Sequence, residues 1–377
     1  MIQVDAIVLG AGPAGATVAL NLAPFRSVLV VEQRARPAVR IGESLPPAAR
    51  RLLVDMGLWE GFVSDRHLPC YARRSAWGTP DPVEIDTIRD PDGHGWLLDR
   101  ARFEARLRAT AASRGATILA PAKAGPIGRG DDCWTVAVLH DGRTQEIRAR
   151  VLIDARGRAA RPLPPAAAKR RVTDRLVCGW LISNDPGGAG SPGVIYTEAE
   201  AEGWWYSAPL PRDRRIVAFH TDADLPSAID ASDAGRLAER AARLPTLGAA
   251  SPSTGSVLAA EYGFCAAHTC RLDPTAGDGW LAVGDACLAL DPLSSQGLLN
   301  ALYTGLAAAE AADRILSGDA IAWRDYQRSV GEIWGVYWRR LPAWYRQERR
   351  WGHHPFWRRR AASGSWNEPA LAGGRYA

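Results

Sequence analysis

The sequence predicts an α/β chain built on a Rossmann-like dinucleotide-binding unit, with an antiparallel β-sheet inserted into it and a helical region after it. Three observations carry this. The stretch VDAIVLGAGPAGATVALNLA, residues 4–23, sets glycines between an apolar, β-branched run and an alanine-rich run. A second apolar run, Ser27–Val31, ends in Glu32, twenty-two residues after Gly10. Residues 162–275 break into short alternating runs and turns, unlike the segments on either side. The expected division is a discontinuous nucleotide-binding domain over 1–75, 96–161 and 276–320, a substrate domain over 76–95 and 162–275, and a C-terminal region over 321–377.

In the opening stretch, Ala6–Leu9 reads as a buried strand that stops at Gly10, and a helix begins at Pro13 or Ala14. Between them lies Gly10-Ala11-Gly12-Pro13-Ala14-Gly15. Gly10 permits a tight turn, Gly12 lets a pyrophosphate approach the backbone, and Gly15 lets the helix lie close on the sheet. The phosphates would sit at the positive end of the helix. Glu32 ends the second strand, where a carboxylate accepts hydrogen bonds from an adenosine ribose.

Length and composition narrow the class. At 377 residues the chain exceeds one ordinary core, and 47% hydrophobic residues allow a full globular interior. The net charge of +5 is almost wholly guanidinium, since Lys123 and Lys169 are the only lysines. Arginine suits a phosphate-bearing cofactor as readily as a nucleic acid, and no basic tract has the setting of a nucleic-acid module. Cys70, Cys133, Cys178, Cys265, Cys270 and Cys287 are scattered without CxxC or His-paired spacing, which excludes a zinc or disulfide framework as the organising feature. No leader-like segment and no run of eighteen apolar residues is seen, so a soluble, cytoplasmic protein without a membrane span is expected.

Taken in order, Arg40–Ser44 reads as a loop closed by Pro46-Pro47, followed by a helix carrying Leu52, Leu53 and Met56 and stopped by Gly57. Helix-entry capping is the plain reading of Glu43 and Ser44. Residues 71–96 are irregular, with Trp77 and Trp96 among polar neighbours. Asp99 caps a helix through Arg100, Phe103, Leu107 and Ala111, ended by Gly115; a strand follows at Thr117–Leu119. A hairpin is expected from Trp134–Leu139, Asp141-Gly142 and Gln145–Arg150, then a strand Val151–Ile153 leading to Asp154 and Gly157. In the insert, strands are expected at Leu176–Ile182, Gly193–Tyr196, Trp204–Pro209 and Ile216–Thr221, and a helix near Ala234–Leu244. The second GxGxxG match, Gly188–Gly193, lacks a strand before it and a helix after it and reads as a loop. Trp280–Val283 is a strand running into Gly284-Asp285, and after Pro292, Gln296 and Gly297 the Ala/Leu run Leu298–Leu316 is a helix. In the C-terminal region Trp334, Trp338, Leu341 and Tyr345 follow helical spacing, so packing is expected, with a partner-docking face as the alternative. The last dozen residues read as frayed. His67, His94, His220 and His268 read as structural or surface residues.

These pieces in this order resemble the flavoprotein monooxygenases of the hydroxybenzoate hydroxylase fold, over nearly the whole chain: GAGPAG with Glu32, Arg100 on its helix, IDARGR at 153–158, and GD with DPLSSQG at 284–297. IGESLPP, GWWYSAPLP and the Trp/Arg-rich tail are most similar to the branch holding the tryptophan halogenases, and closer still to its relatives that mature protein-derived quinone cofactors. The resemblance implies an FAD-binding domain of the glutathione reductase type. The implied cofactor contacts are Gly10, Gly12, Pro13, Ala14, Gly15, Glu32, Gln33, Arg40, Ser44, Arg100, Asp154, Gly284, Asp285, Pro292, Gln296 and Gly297. Arg100 would neutralise pyrophosphate or ribityl oxygens, Asp285 would hold the ribityl chain, and Pro292–Gly297 would lie by the isoalloxazine.

The departures matter for chemistry. The halogenase lysine has no counterpart: Arg73 and Arg74 stand in its neighbourhood. The halogenase WxWxIP pattern becomes Trp204–Pro209 with Tyr206 and Ala208 at two diagnostic places, and Ser294 replaces its glutamate. The implied activity is FAD-dependent monooxygenation of an electron-rich aromatic, with a Trp or Tyr side chain of a partner protein as the candidate substrate. Electrons would come from NAD(P)H or a separate flavin reductase. Glu43 is the candidate for proton transfer, and Trp205 and Tyr206 are the candidate cavity wall; because side chains alternate along a strand, at most one of the two aromatics can face it. A halogenase, a saturating reductase of the same fold and a non-catalytic flavin-binding partner stand as alternatives. No metal site is expected.

Overall fold

The computed structural model describes residues 2–37, 39–88, 90–163, 168–184, 193–244 and 261–361. The chain divides into two compact units: Met1–Tyr71, Thr87–Arg175 and Ala267–Gly331 form the first, and Ala72–Asp86, Leu176–Ala266 and Glu332–Ala377 the second.

At the centre of the first unit is a parallel sheet whose strands run Trp280–Ala282, Arg143–Asp154, Ile2–Leu9, Val28–Val31 and Thr117–Leu119 across its width. Ile7, Val8, Leu29, Val30, Leu152 and Ile153 are almost wholly buried, as a parallel sheet covered on both faces requires. Arg143–Asp154 is one continuous strand of 12 residues, where a hairpin arm and a separate strand were expected. Its early residues pair antiparallel with Trp134–His140 and its later ones parallel with Ile2–Leu9. Asp141 and Gly142 both have positive φ, 47° and 71°, which matches the twist of a tight hairpin. Ala122–Arg129, not foreseen as a strand, pairs with the outer side of that hairpin.

Three differences from the expected boundaries have local causes. Lys169–Val172 pairs with Cys270–Asp273, which pairs with Leu288–Ala289, so these flanks of the insert join the first unit through main-chain hydrogen bonds. Residues 87–95 also belong there, because Gly95–Leu97 pairs with both Ser44–Leu45 and Leu68–Cys70. Ser44 therefore opens a short strand rather than ending a loop. The helix Ala322–Tyr345 crosses the division at Gly331, with Tyr326 in the first unit donating its hydroxyl to Ala282 O at 2.5 Å.

The second unit is a seven-stranded sheet ordered Glu261–Ala266, Leu176–Asn184, Arg214–Asp222, Gly203–Leu210, Val194–Glu200, Ala72–Ala76, Val83–Asp86. All neighbours are antiparallel except Val194–Glu200 and Ala72–Ala76. Helices Ser227–Ala231 and Ala234–Ala242 lay Ala231, Leu237, Ala238 and Ala241 on Leu181, Trp205, Val217 and Phe219. The C-terminal aromatics pack as their spacing predicts: Trp334, Trp338, Leu341 and Tyr345 are buried, and Tyr345 accepts from the Trp204 indole at 3.2 Å. Trp344 between them is 53% exposed. Gly188–Pro192 and the last dozen residues lie outside the described residues.

What positions the nucleotide turn is the seating of helix Pro13–Leu22 against helix Gly297–Leu316. A Cβ at Gly305 would stand 2.7 Å from Ala14 O and 2.8 Å from Thr17 Cβ. Gly305→Ala should therefore lower the urea midpoint: helix propensity favours alanine by about 1 kcal/mol, but overpacking a fixed backbone contact costs about 1–3 kcal/mol. A raised midpoint would show that the two helices are free to separate.

A dinucleotide site at the strand ends

The Gly10–Gly15 turn uses each glycine differently. Gly10 has φ +105°, and a Cβ there would stand 2.5 Å from Ala155 O. A Cβ at Gly15 would stand 1.9 Å from Gly10 O and 2.9 Å from Ala155 Cβ, so the helix start is pressed onto both crossings. At Gly12 a Cβ would meet nothing within 4 Å. Two glycines are needed by the protein itself and the third faces open space, as expected of the position where a ligand's pyrophosphate comes closest.

Glu32 locks the turn from the next strand. Its Oε2 accepts from Ala11 N at 2.7 Å and its Oε1 from Arg34 N at 2.9 Å. Arg108 completes the corner, donating Nε to Ala11 O at 2.8 Å and Nη1 to Arg34 O at 3.2 Å, with its other nitrogen 3.5 Å from Glu32. Arg108 was not among the expected contacts. Its spacing was a usable signal, because Arg100, Glu104 and Arg108 recur every four residues and share one helix face.

Arg100 itself turns elsewhere. Its Nη1 donates to Ile41 O at 3.0 Å and Gly42 O at 2.7 Å, and its Nη2 to Glu104 at 2.5 Å. It fixes the loop that carries Glu43, and it is Arg108 that touches the nucleotide turn. Asp154 is likewise engaged: it is 1% exposed and takes Arg156 Nε at 2.9 Å and Nη2 at 2.8 Å. Gln33 and Arg40 are exposed.

Gly284-Asp285 follows the strand Trp280–Ala282 in a single 3-10 turn. Gly284, at φ +55°, donates to Thr304 Oγ1 at 2.9 Å, and a Cβ there would stand 2.8 Å from Ala14 Cβ. Asp285 is thereby held beside the first turn of helix Pro13–Leu22, its side chain 36% exposed and 3.5 Å from Arg158. Asp291 caps the next 3-10 turn, Pro292–Ser294, accepting from Leu293 N at 2.9 Å. Ser295 then takes a left-handed φ of 52° and Gln296 leads into helix Gly297–Leu316.

FAD fits this set of residues. Helices Pro13–Leu22 and Gly297–Leu316 both start without a side-chain cap, leaving N–H groups for phosphate and for an anionic ring edge. Gly12 and Gly297 both face open space. Asn300, one turn into the second of these helices, is buried with no partner for Nδ2.

Glu43 has a distinct environment. It is 2% exposed, neither carboxylate oxygen has a hydrogen-bond partner of good geometry, and burial pushes its pKa up to about 7, against the opposing pull of its own and Gly42's amides and Arg100. Helix capping does not occupy it: Ala48 is the N-cap of helix Ala49–Asp55, with no side-chain cap, because Pro46-Pro47 intervene. The neighbouring strand Ser44–Leu45 packs on helix Gly297–Leu316.

In the second unit Trp205 and Tyr206 lie on opposite faces of their strand. Trp205 is fully buried in the core under the two helices, its ring 4.7 Å from Phe219. Tyr206, half-buried, is on the other face with Trp204, which stacks on His220 at 3.8 Å. Trp205 thus has a packing role. His67, His94 and His220 sit in aromatic clusters, and burial holds His67 at about 4. His268 is also lowered, by burial and Arg158. Among the described residues no cluster of metal-ligating side chains occurs.

No family model matches the sequence. LodB of Marinomonas mediterranea, assigned as an FAD-dependent oxidoreductase, is 29% identical over 367 residues, covering 95% of this chain and 97% of LodB. The myxobacterial chondrochloren halogenase CndH, a variant of the FAD-dependent halogenases, matches with a TM-score of 0.83 at 24% identity, over 96% of this chain and 86% of CndH. The peptidyl tryptophan dihydroxylase QhpG, essential for tryptophylquinone cofactor biogenesis, matches with a TM-score of 0.76 at 25% identity, over 95% of this chain and 78% of QhpG. Fold and site define a flavoprotein with the architecture shared by flavin-dependent halogenases and monooxygenases. The protein is a flavin-dependent oxidoreductase and its cofactor is FAD.

Two outcomes test the site. Gly12→Asp should leave a folded protein with the wild-type melting temperature in the absence of FAD, since the new side chain enters open space, and should abolish FAD retention measured by absorbance. Equal flavin content in mutant and wild type would move the pyrophosphate elsewhere. For Glu43, a folded pKa of about 7 against an ordinary 4.5 means that the folded state prefers the neutral acid. Its stabilisation is full below pH 4.5 and is lost as pH rises through 7. Glu43→Gln should flatten that slope, removing a loss on the order of 3 kcal/mol in FAD-free protein. Parallel stability–pH curves for the two proteins would show that Glu43 is solvated.

Proposed function

We propose that this enzyme is an FAD-dependent monooxygenase that hydroxylates an electron-rich aromatic ring, and that the ring is a Trp or Tyr side chain of a protein destined to carry a quinone cofactor. The observation that carries the chemistry is Glu43: a sealed carboxyl whose pKa stands near neutrality, in the loop directly before strand Ser44–Leu45, which packs against helix Gly297–Leu316. A group in that state can take a proton from, or return one to, an aromatic N–H or O–H at physiological pH. Arg100 supports it by holding the loop carbonyls of Ile41 and Gly42. Reduced FAD would supply dioxygen activation; the chain's own groups bind and orient the cofactor, exclude water and handle the proton.

Halogenation is disfavoured by the lysines. Lys123 and Lys169, the only two, are exposed on strands of the first unit, and it is Arg73 and Arg74 that occupy the neighbourhood of the halogenase lysine. A protein substrate is supported by QhpG, which acts on a peptidyl tryptophan, and by the exposed side of helix Ala322–Tyr345, where Val336, Arg339, Arg340 and Trp344 are available to a partner. Electrons would come from NAD(P)H or a separate flavin reductase.

The test is to supply the flavin-loaded enzyme with reductant and a partner protein encoded beside it. Dioxygen should be consumed and the partner should gain about 16 Da per oxygen atom inserted, on a Trp or Tyr. A halide-dependent mass gain would make it a halogenase. Flavin binding with no change in the partner under any reductant would make it a non-catalytic flavin-binding protein.

A further inference from the structure

Leu176–Asn184 and Glu261–Ala266 pair antiparallel in the second unit, and in that register Cys178 stands directly opposite Cys265. Both are thiols, not joined by a disulfide. Directly opposed residues of an antiparallel pair point to the same face with Cα atoms about 4.5–5.5 Å apart, inside the span a disulfide bridges. The face is identified by the neighbours. A Cβ at Gly179 would stand 2.0 Å from Ala231 O, so residue 179 faces the helix Ser227–Ala231 and Cys178 faces away from it. On the same side as the thiols, the Trp180 indole lies over Gly263, where a Cβ would stand 2.3 Å from the ring. This flat cover closes one flank of the pair, two residues along each strand.

The two thiols differ in access. Cys178 is 0% exposed, whereas Cys265 is half-buried on the edge strand, which among the described residues has a single neighbour in the sheet. That asymmetry is what a two-step thiol oxidation needs: an accessible sulfur to meet the oxidant and a sheltered one beside it to resolve the product.

We propose that Cys178 and Cys265 form a reversible oxidation site, a cross-strand disulfide that pins the edge strand Glu261–Ala266 to the sheet. With hydrogen peroxide as oxidant, the Cys265 thiolate attacks one peroxide oxygen, the O–O bond breaks, and Cys265 becomes a sulfenic acid as water leaves. The Cys178 sulfur then attacks the sulfenic sulfur, forming the S–S bond and expelling a second water. Two thiols lose two electrons and two protons, and one peroxide becomes two waters. A bond between directly paired strands is held at the short end of disulfide geometry, which places it among the strained, readily reduced bridges that respond to redox change.

The experiment treats the FAD-loaded protein with hydrogen peroxide, blocks remaining thiols with N-ethylmaleimide before unfolding, and maps peptides by mass spectrometry. A Cys178–Cys265 peptide about 2 Da lighter than the sum of its reduced halves, lost on dithiothreitol treatment, is the expected result. Cys178→Ser should leave Cys265 as a sulfenic acid trapped by dimedone, and Cys265→Ser should leave Cys178 unmodified. Amide exchange across Glu261–Ala266 should slow by roughly tenfold in the oxidised protein. No linked peptide, a bridge from Cys265 to any other cysteine, or oxidation of Cys178 in Cys265→Ser at the wild-type rate would overturn the site. Unchanged exchange in the bridged form would overturn its action on the edge strand.

Discussion

The close seating of helix Pro13–Leu22 is the constraint on which the first unit depends. The helix is pressed from one side by the Gly10 carbonyl and the Ala155 loop, and from others by Gly284 and by Gly305 of helix Gly297–Leu316. Each approach is too short for a Cβ, so glycine stands at every crossing, at Gly10, Gly15, Gly284 and Gly305. Because packed backbone cannot give way cheaply, these contacts fix the helix's N–H groups, the strand end carrying Asp285 and the start of helix Gly297–Leu316 in one frame. Gly12 alone among the turn's glycines has space above it, as a position approached by a pyrophosphate requires.

Guanidinium groups then hold the corners that packing leaves loose. Arg108 ties Ala11 to Arg34 and Glu32, Arg156 occupies Asp154, and Arg100 arches the loop before Glu43. Each makes several directed hydrogen bonds to carbonyls or carboxylates, a use for which a lysine ammonium lacks the planar fork. An Arg-rich composition is therefore a scaffold property in this protein, and it says little about nucleic acid. Against that background Glu43 is conspicuous: a buried carboxyl without a well-formed hydrogen bond, in a unit where the buried acids Asp65, Glu104 and Asp154 are paired to arginine and Asp291 accepts from a backbone amide. A buried carboxyl left without a good hydrogen bond is the kind of group whose pKa a site can use, which is why the proposed chemistry is placed on Glu43.

Local sequence was a good guide wherever one residue's backbone or one strand's alternation decided the outcome. The tight turn at Gly10 and the close seating at Gly15, the Asp141-Gly142 turn, the Asp99 cap and the opposed faces of Trp205 and Tyr206 follow from positive φ, the lack of a Cβ, a local side-chain hydrogen bond or a period of two. Boundaries set by distant pairing were not legible. Lys169–Val172 is drawn into the first unit by Cys270–Asp273, a partner about a hundred residues away, and nothing within either segment announces the other. The same holds for Ser44–Leu45, which becomes a strand because Gly95–Leu97 lies beside it.

The sequence by itself determined the glycine turn of a dinucleotide-binding fold and the strand ends expected to face its ligand, since a turn without side chains and a carboxylate at a strand's end are properties of short segments. Only the tertiary structure decided which cation serves the turn and which carboxyl has its pKa raised towards neutrality. Arg100 and Arg108 have the same side chain on the same helix face, two turns apart, and the choice between them rests on where Ile41, Gly42 and Ala11 place their carbonyls. Glu43 owes its protonation state to burial among segments brought together from across the unit, because desolvation depends on everything that surrounds a charge and no single stretch of sequence encodes it.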